Sequence, residues 1–109
     1  MNFSAETKND MLFLHLSGDL IGENDGSNIL GTATDAIQNG AKKCIINIAD
    51  LRYINSSGIG VLITILTKFR NKGGEVYLLN PSESVKKLLI ITKLNAIFQI
   101  IQSEAEVAG

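Results

Sequence analysis

A chain of 109 residues with 45% hydrophobic and 19% charged positions and a net charge of -1 has the balance of one ordinary globular domain, long enough for a single core and too short for two. That near-neutral charge argues against electrostatic capture by nucleic acid or an anionic lipid surface. A single cysteine excludes an internal disulfide and a cysteine-rich metal site, and it points to a reducing setting.

The N-terminal run Met1-Asn2-Phe3-Ser4-Ala5-Glu6 lacks the basic-then-apolar layout of a signal peptide, and no apolar stretch is long enough to cross a bilayer. A cytoplasmic protein with no direct membrane insertion is expected. Phe3 and Ala5 begin a first strand, Asn9-Asp10 is a good turn pair, and Met11 to Leu16 forms a second strand, so the pair reads as an antiparallel hairpin closed by Gly18. His15 alternates with Phe13 and reads as an exposed-face residue without a catalytic partner. The polar stretch from Gly22 to Gly26 reads as a loop. It leads into a helix with Ile29, Leu30, Ala33, Ala36 and Ile37 on one face, ended by Gly40.

Cys44 to Ile48 is nearly unbroken in apolar character, which suits a strand buried on both faces. Within it Cys44 reads as a small buried hydrophobe. A second helix follows with Ile59, Leu62, Ile63 and Leu66 as its expected inner face, and Lys68, Arg70 and Lys72 gather at its C-terminal end, where cations suit the helix dipole. These cations, with Lys42-Lys43 and Lys86-Lys87, otherwise read as solvated faces. Gly73-Gly74 stops the helix, and Glu75 to Leu79 is a fourth strand. Asn80-Pro81-Ser82 turns and caps a third helix with Val85, Leu88, Leu89 and Thr92 on its inner stripe. Phe98 to Ile101 is a short fifth strand. The tail from Ser103 is expected to be frayed or a loosely docked final turn. The order of elements predicts an α/β domain on a sheet that is mostly parallel after the opening hairpin. Right-handed crossovers then bring the strand-to-helix junctions to one edge, where such domains carry their sites.

The junction richest in signal is Leu51-Arg52-Tyr53-Ile54-Asn55-Ser56-Ser57-Gly58-Ile59-Gly60-Val61-Leu62. Serine or asparagine just before an apolar-periodic run is a helix N-cap, its side-chain oxygen accepting from a free backbone N–H of the first turn. Two serines exceed what a cap needs. If one caps, the other can point outward, where exposed N–H groups and the helix dipole favour negative charge. A phosphate would be tolerated there. No phosphate-cradling P-loop, HExxH pair or nucleophile elbow accompanies it, and no base is in evidence for Ser56, so the chain reads as a substrate of chemistry rather than its agent, with no cofactor.

The segments Tyr53 to Leu62, Gly73-Gly74-Glu75 and Pro81 to Leu89 resemble those of a bacterial anti-sigma factor antagonist, the single-domain STAS family, in order and over nearly the whole chain. The resemblance implies one STAS domain over 1–109, with a mixed sheet of about five strands and three to four helices. In that family the serine two residues before the motif's first glycine is phosphorylated by an anti-sigma factor that is itself a serine kinase, a GHKL-type ATPase. The matching residue here is Ser56, and Ser57 matches the Ser or Thr that commonly follows. Unphosphorylated, such a protein binds the kinase and frees a sigma factor; phosphorylated, it lets go until a serine phosphatase resets it. The partner-binding surface implied is Asn55, Ser56, Ser57, Gly58 and Ile59 with Gly22 and Glu23.

Two positions depart from the family pattern. Asn55 stands where Asp usually precedes the phosphorylated serine; the amide keeps the hydrogen bonds of a turn and loses the charge. Ile21 stands near where many relatives carry Asp, a role that Glu23 or Asp25 could take. A second function stays open: an unphosphorylated STAS adaptor subunit on a membrane transporter or in a signalling complex.

Overall fold

In the computed structural model residues 2–21 and 23–106 are described, and side chains 23–25 fall outside that description. The eight main elements are β1 Asn2–Lys8, β2 Met11–Leu20, α1 Glu23–Gln38, β3 Lys43–Ile54, α2 Ser56–Arg70, β4 Glu75–Leu79, α3 Glu83–Ile91 and β5 Gln99–Ile101, with single 3₁₀ turns at Leu94–Ala96 and Glu104–Glu106. Asn9, with φ 58°, closes the β1–β2 hairpin, since asparagine enters the left-handed region at small cost.

The strands lie side by side in chain order, β1-β2-β3-β4-β5. The β1–β2 pair is antiparallel and every later pair is parallel. Because right-handed crossovers step the same way each time, the helices stack on one face. Leu12, Leu14 and Leu16 of β2, Cys44, Ile46 and Ile48 of β3 and Val76 and Leu78 of β4 pack there in one core with Ile29, Leu62, Phe69, Val85 and Leu89. Burying so many aliphatic side chains, at about 1.5–3 kcal/mol each, is the main force holding the layers together. The opposite face carries a smaller cluster, Ile45, Leu79 and Ile101, edged by Met11, Phe13 and Tyr77. From Cys44 to Ile46 β3 is thus buried on both sides, although no α-helix among the described residues covers the second one.

Several boundaries differ from those read in the sequence. β2 runs on to Leu20, with Gly18 (φ 87°) inside it beside a register irregularity instead of at its end. α1 begins at Glu23, inside the expected loop, because acidic and polar residues suit a first helical turn as well as a loop. Gly22 and Asp25's side chain lie outside the described residues. The inner face of α2 is Gly58, Leu62, Ile65, Leu66 and Phe69, whereas Ile59 is half-buried and Ile63 is 37% exposed. On α3, Val85 and Leu89 are buried, Leu88 partly so, and Thr92 is exposed. The tail forms a final turn as far as Glu106, closed on itself by the Glu106 carboxylate, which accepts from the backbone N–H of Gln102 (2.6 Å) and Ser103 (3.0 Å).

Candidate functional site

The C-terminal end of β3 passes directly into α2, and a single residue makes the turn. Ile54 is buried, and Asn55 is extended (φ -101°, ψ -176°). Its Oδ1 accepts from the Gly58 N–H at 2.9 Å, and its main-chain carbonyl accepts from the Ile59 N–H at 2.9 Å. Asn55 is therefore the cap, and neither serine is. The sequence allowed a serine in that role; the observed geometry leaves Ser56 and Ser57 both exposed in the first turn, and neither hydroxyl bonds another described residue. The first turn holds no acidic side chain of its own, so the positive end of a 15-residue helix carries no negative charge from α2 itself.

Gly58 explains how the helix can begin there. A β-carbon on it would lie 2.4 Å from the Leu20 carbonyl oxygen and 2.7 Å from Ile54 Cγ1. The first turn of α2 thus rests on the end of β2, and Gly58 sets that approach from a buried position instead of meeting a partner with a side chain. Ile59 packs partly against the core. Asn55 with Ser56, Ser57, Gly58 and Ile59 makes the cap and first turn of α2. Gly22 lies outside the described residues; Glu23 is the first residue of α1, its side chain also outside them.

Three features escaped the sequence reading. The Asn55 Nδ2 donates to the Ile21 carbonyl at 3.1 Å, and its main-chain N–H donates to the Leu20 carbonyl at 3.3 Å, so the end of β2 is tied to the start of α2. Ile21 is 49% and Tyr53 56% exposed, placing two large apolar side chains on the strand ends that Asn55 joins. His15 meets Asp50, its Nε2 lying 2.8 Å from Asp50 Oδ2, a contact with both side chains substantially in solvent. No local signal could show these contacts, since each joins residues more than thirty positions apart.

Cys44 is buried, and burial pushes its thiol pKa far up, so it packs as a hydrophobe and holds no thiolate. Among the described residues there is no group of three side chains fit to hold a metal ion, and no helix long and apolar enough to cross a membrane.

An ordered mixed sheet layered on one face by three helices, with a capped helix start at the end of a parallel strand, defines a two-layer α/β domain. The chain belongs to the STAS domain family, whose profile matches residues 2–107. It is 30% identical over 70 residues to a Thermotoga maritima protein named as a candidate anti-sigma factor antagonist, a match over 64% of this chain and 62% of that protein's length. The fold matches that of the anti-sigma factor antagonist SpoIIAA in its unphosphorylated form, with a TM-score of 0.77 at 22% identity over 98% of this chain and 94% of that one. It matches equally a sulfate transporter family protein from Wolinella succinogenes, with a TM-score of 0.77 at 13% identity over 92% and 83% of the two chains.

Proposed function

We propose that this protein is an anti-sigma factor antagonist switched by phosphorylation of Ser56. The observation that carries the reading is the α2 start, where the cap is supplied by Asn55 and both serines stand exposed in a first turn that holds no acidic residue. The partner is an anti-sigma factor of the GHKL serine-kinase type. In the reaction the γ-phosphoryl group of ATP passes to Ser56 Oγ, the hydroxyl loses its proton and ADP leaves; a serine phosphatase returns the hydroxyl by hydrolysis.

A phosphate adds about -1.5 to -2 charge, and at this position the dipole and the open N–H groups favour it, so the free domain keeps its stability. Against a partner the same dianion must be desolvated or face carboxylates. A penalty of about 3 kcal/mol there weakens binding roughly a hundredfold. Affinity is lost without unfolding.

The test is incubation with an anti-sigma kinase and ATP, followed by phosphopeptide mapping. One phosphate at Ser56 is expected, with Ser56→Ala binding the kinase but refusing the phosphate and Ser56→Asp binding weakly. A phosphate elsewhere, or none from a kinase active on another antagonist, overturns the reading. The second reading, an unphosphorylated STAS adaptor, is favoured by the amide of Asn55 in place of the usual carboxylate. Pull-down from the native host separates the two, the adaptor emerging with a transporter or scaffold and no kinase.

A further inference from the structure

Asn55 makes a set of contacts that neither an aspartate nor a serine can reproduce. Its Oδ1 caps Gly58 N–H at 2.9 Å while its Nδ2 donates to the Ile21 carbonyl at 3.1 Å. These opposite demands fix which amide atom is which. A carboxylate accepts from Gly58 equally well, but its other oxygen would face the Ile21 carbonyl oxygen with no proton between them. A serine hydroxyl caps and is too short to do more. The Leu20–Ile54 pair is the last rung of the β2–β3 ladder. Past that rung, the Asn55 amide is the hydrogen bond that holds Ile21 to the start of α2 among the described residues.

We propose that Asn55 is a positioning residue whose side-chain amide clamps Ile21 to the first turn of α2, so that Ile21, Tyr53 and Ser56 meet the partner as one preset surface. The clamp is a property of the free protein; its role in recognition rests on the antagonist reading above.

Two variants of the full chain test it, Asn55→Asp, which keeps a cap acceptor and has no donor, and Asn55→Ser, which keeps a cap acceptor and is too short to reach the Ile21 carbonyl. Amide exchange followed by NMR is the first readout. In the unaltered protein one Asn55 side-chain N–H proton exchanges about tenfold more slowly than a solvated amide, the protection expected of one intact hydrogen bond. In both variants the Gly58 amide stays protected while the Asn55 main-chain amide, bonded to Leu20, exchanges about tenfold faster, and affinity for an anti-sigma kinase falls about tenfold. A merely structural role for Asn55 would deprotect Gly58 as well.

Unprotected Asn55 side-chain protons overturn the clamp even if the variants do not fold, and so does an unchanged Asn55 main-chain amide in Asn55→Asp. Faster exchange with unchanged kinase affinity overturns the recognition role. An unaltered protein that binds no anti-sigma kinase overturns the antagonist reading and with it that role, while the exchange data still decide the clamp.

Discussion

The helices α2 and α3 each start at the end of a parallel strand, and they close their first turns differently. At α3, Ser82 caps, its hydroxyl accepting from the Val85 N–H at 3.4 Å, while Glu83 places a carboxylate in the first turn and pairs with Lys86 at 3.6 Å. At α2 an amide caps, the two serines stay exposed, and the first turn holds no acid. Every helix start has unbonded N–H groups and a positive end. Both answer the N–H groups in part, each with one capping side chain; α3 also answers the charge from its own first turn with Glu83, whereas the first turn of α2 leaves it open. An anion added from outside is therefore best placed at α2.

The largest effect expected from breaking this contrast is at Gly58. Its counterpart three residues past the α3 cap is Val85, which buries a full side chain, whereas a β-carbon on Gly58 meets the Leu20 carbonyl oxygen at 2.4 Å. Gly58→Ala should cost about 3 kcal/mol in urea unfolding. A variant as stable as the parent would show that α2 does not depend on that close approach.

Next come the caps. Asn55→Ala removes two side-chain hydrogen bonds and should cost about 2 kcal/mol, against about 1 kcal/mol for Ser82→Ala, which removes one long bond. Equal losses in parallel melts would erase the distinction between the two starts. A smaller effect of opposite sign is expected further along the first turns of α2. Gly60 is exposed, and a β-carbon there would meet nothing within 4 Å, so Gly60→Ala should stabilise the free protein by up to about 1 kcal/mol. A loss of stability there would reveal packing that the fold does not show.

The smallest effect sharpens the comparison most directly. Ser56→Asp puts a carboxylate in the first turn of α2, which holds none, and should stabilise by about 0.5 kcal/mol at low salt. Ser84→Asp, beside Glu83, should gain nothing. The difference should vanish in about 1 M salt, where screening acts within about 3 Å. Stabilisation of equal size at both helices would mean that the α2 start is no more receptive to negative charge than α3's.

The order of strands and helices was legible because each element carries its own period. Leu12, Leu14 and Leu16 alternate along a strand, and Val85 and Leu89 recur one helical turn apart. Where the reading slipped, two environments suit the same residues. Glu23 and Asn24 serve a loop or a first helical turn, and Ile63 has the chemistry of a core residue on a helix whose inner face was turned elsewhere by the contact at Gly58. At the candidate site the serine pair was visible, and so was a cap. Which residue caps was not, because Asn55, Ser56 and Ser57 are all competent and the choice depends on where β3 ends.

The sequence by itself determined the alternation of elements, the opening hairpin and the junction at which two hydroxyls meet a helix start, since these follow from local periodicity and turn chemistry. Right-handed crossovers made a single-edge site foreseeable as well. Only the tertiary structure decided that Asn55 reaches Ile21, that Gly58 must rest against Leu20, and that His15 meets Asp50. Those contacts join segments far apart in the chain, and their distances follow from the register of β2 on β3, which shifts at Ser17 and again at Asp19. A register is a balance summed over the whole pair of strands and the core beneath it, so no stretch of local sequence contains it.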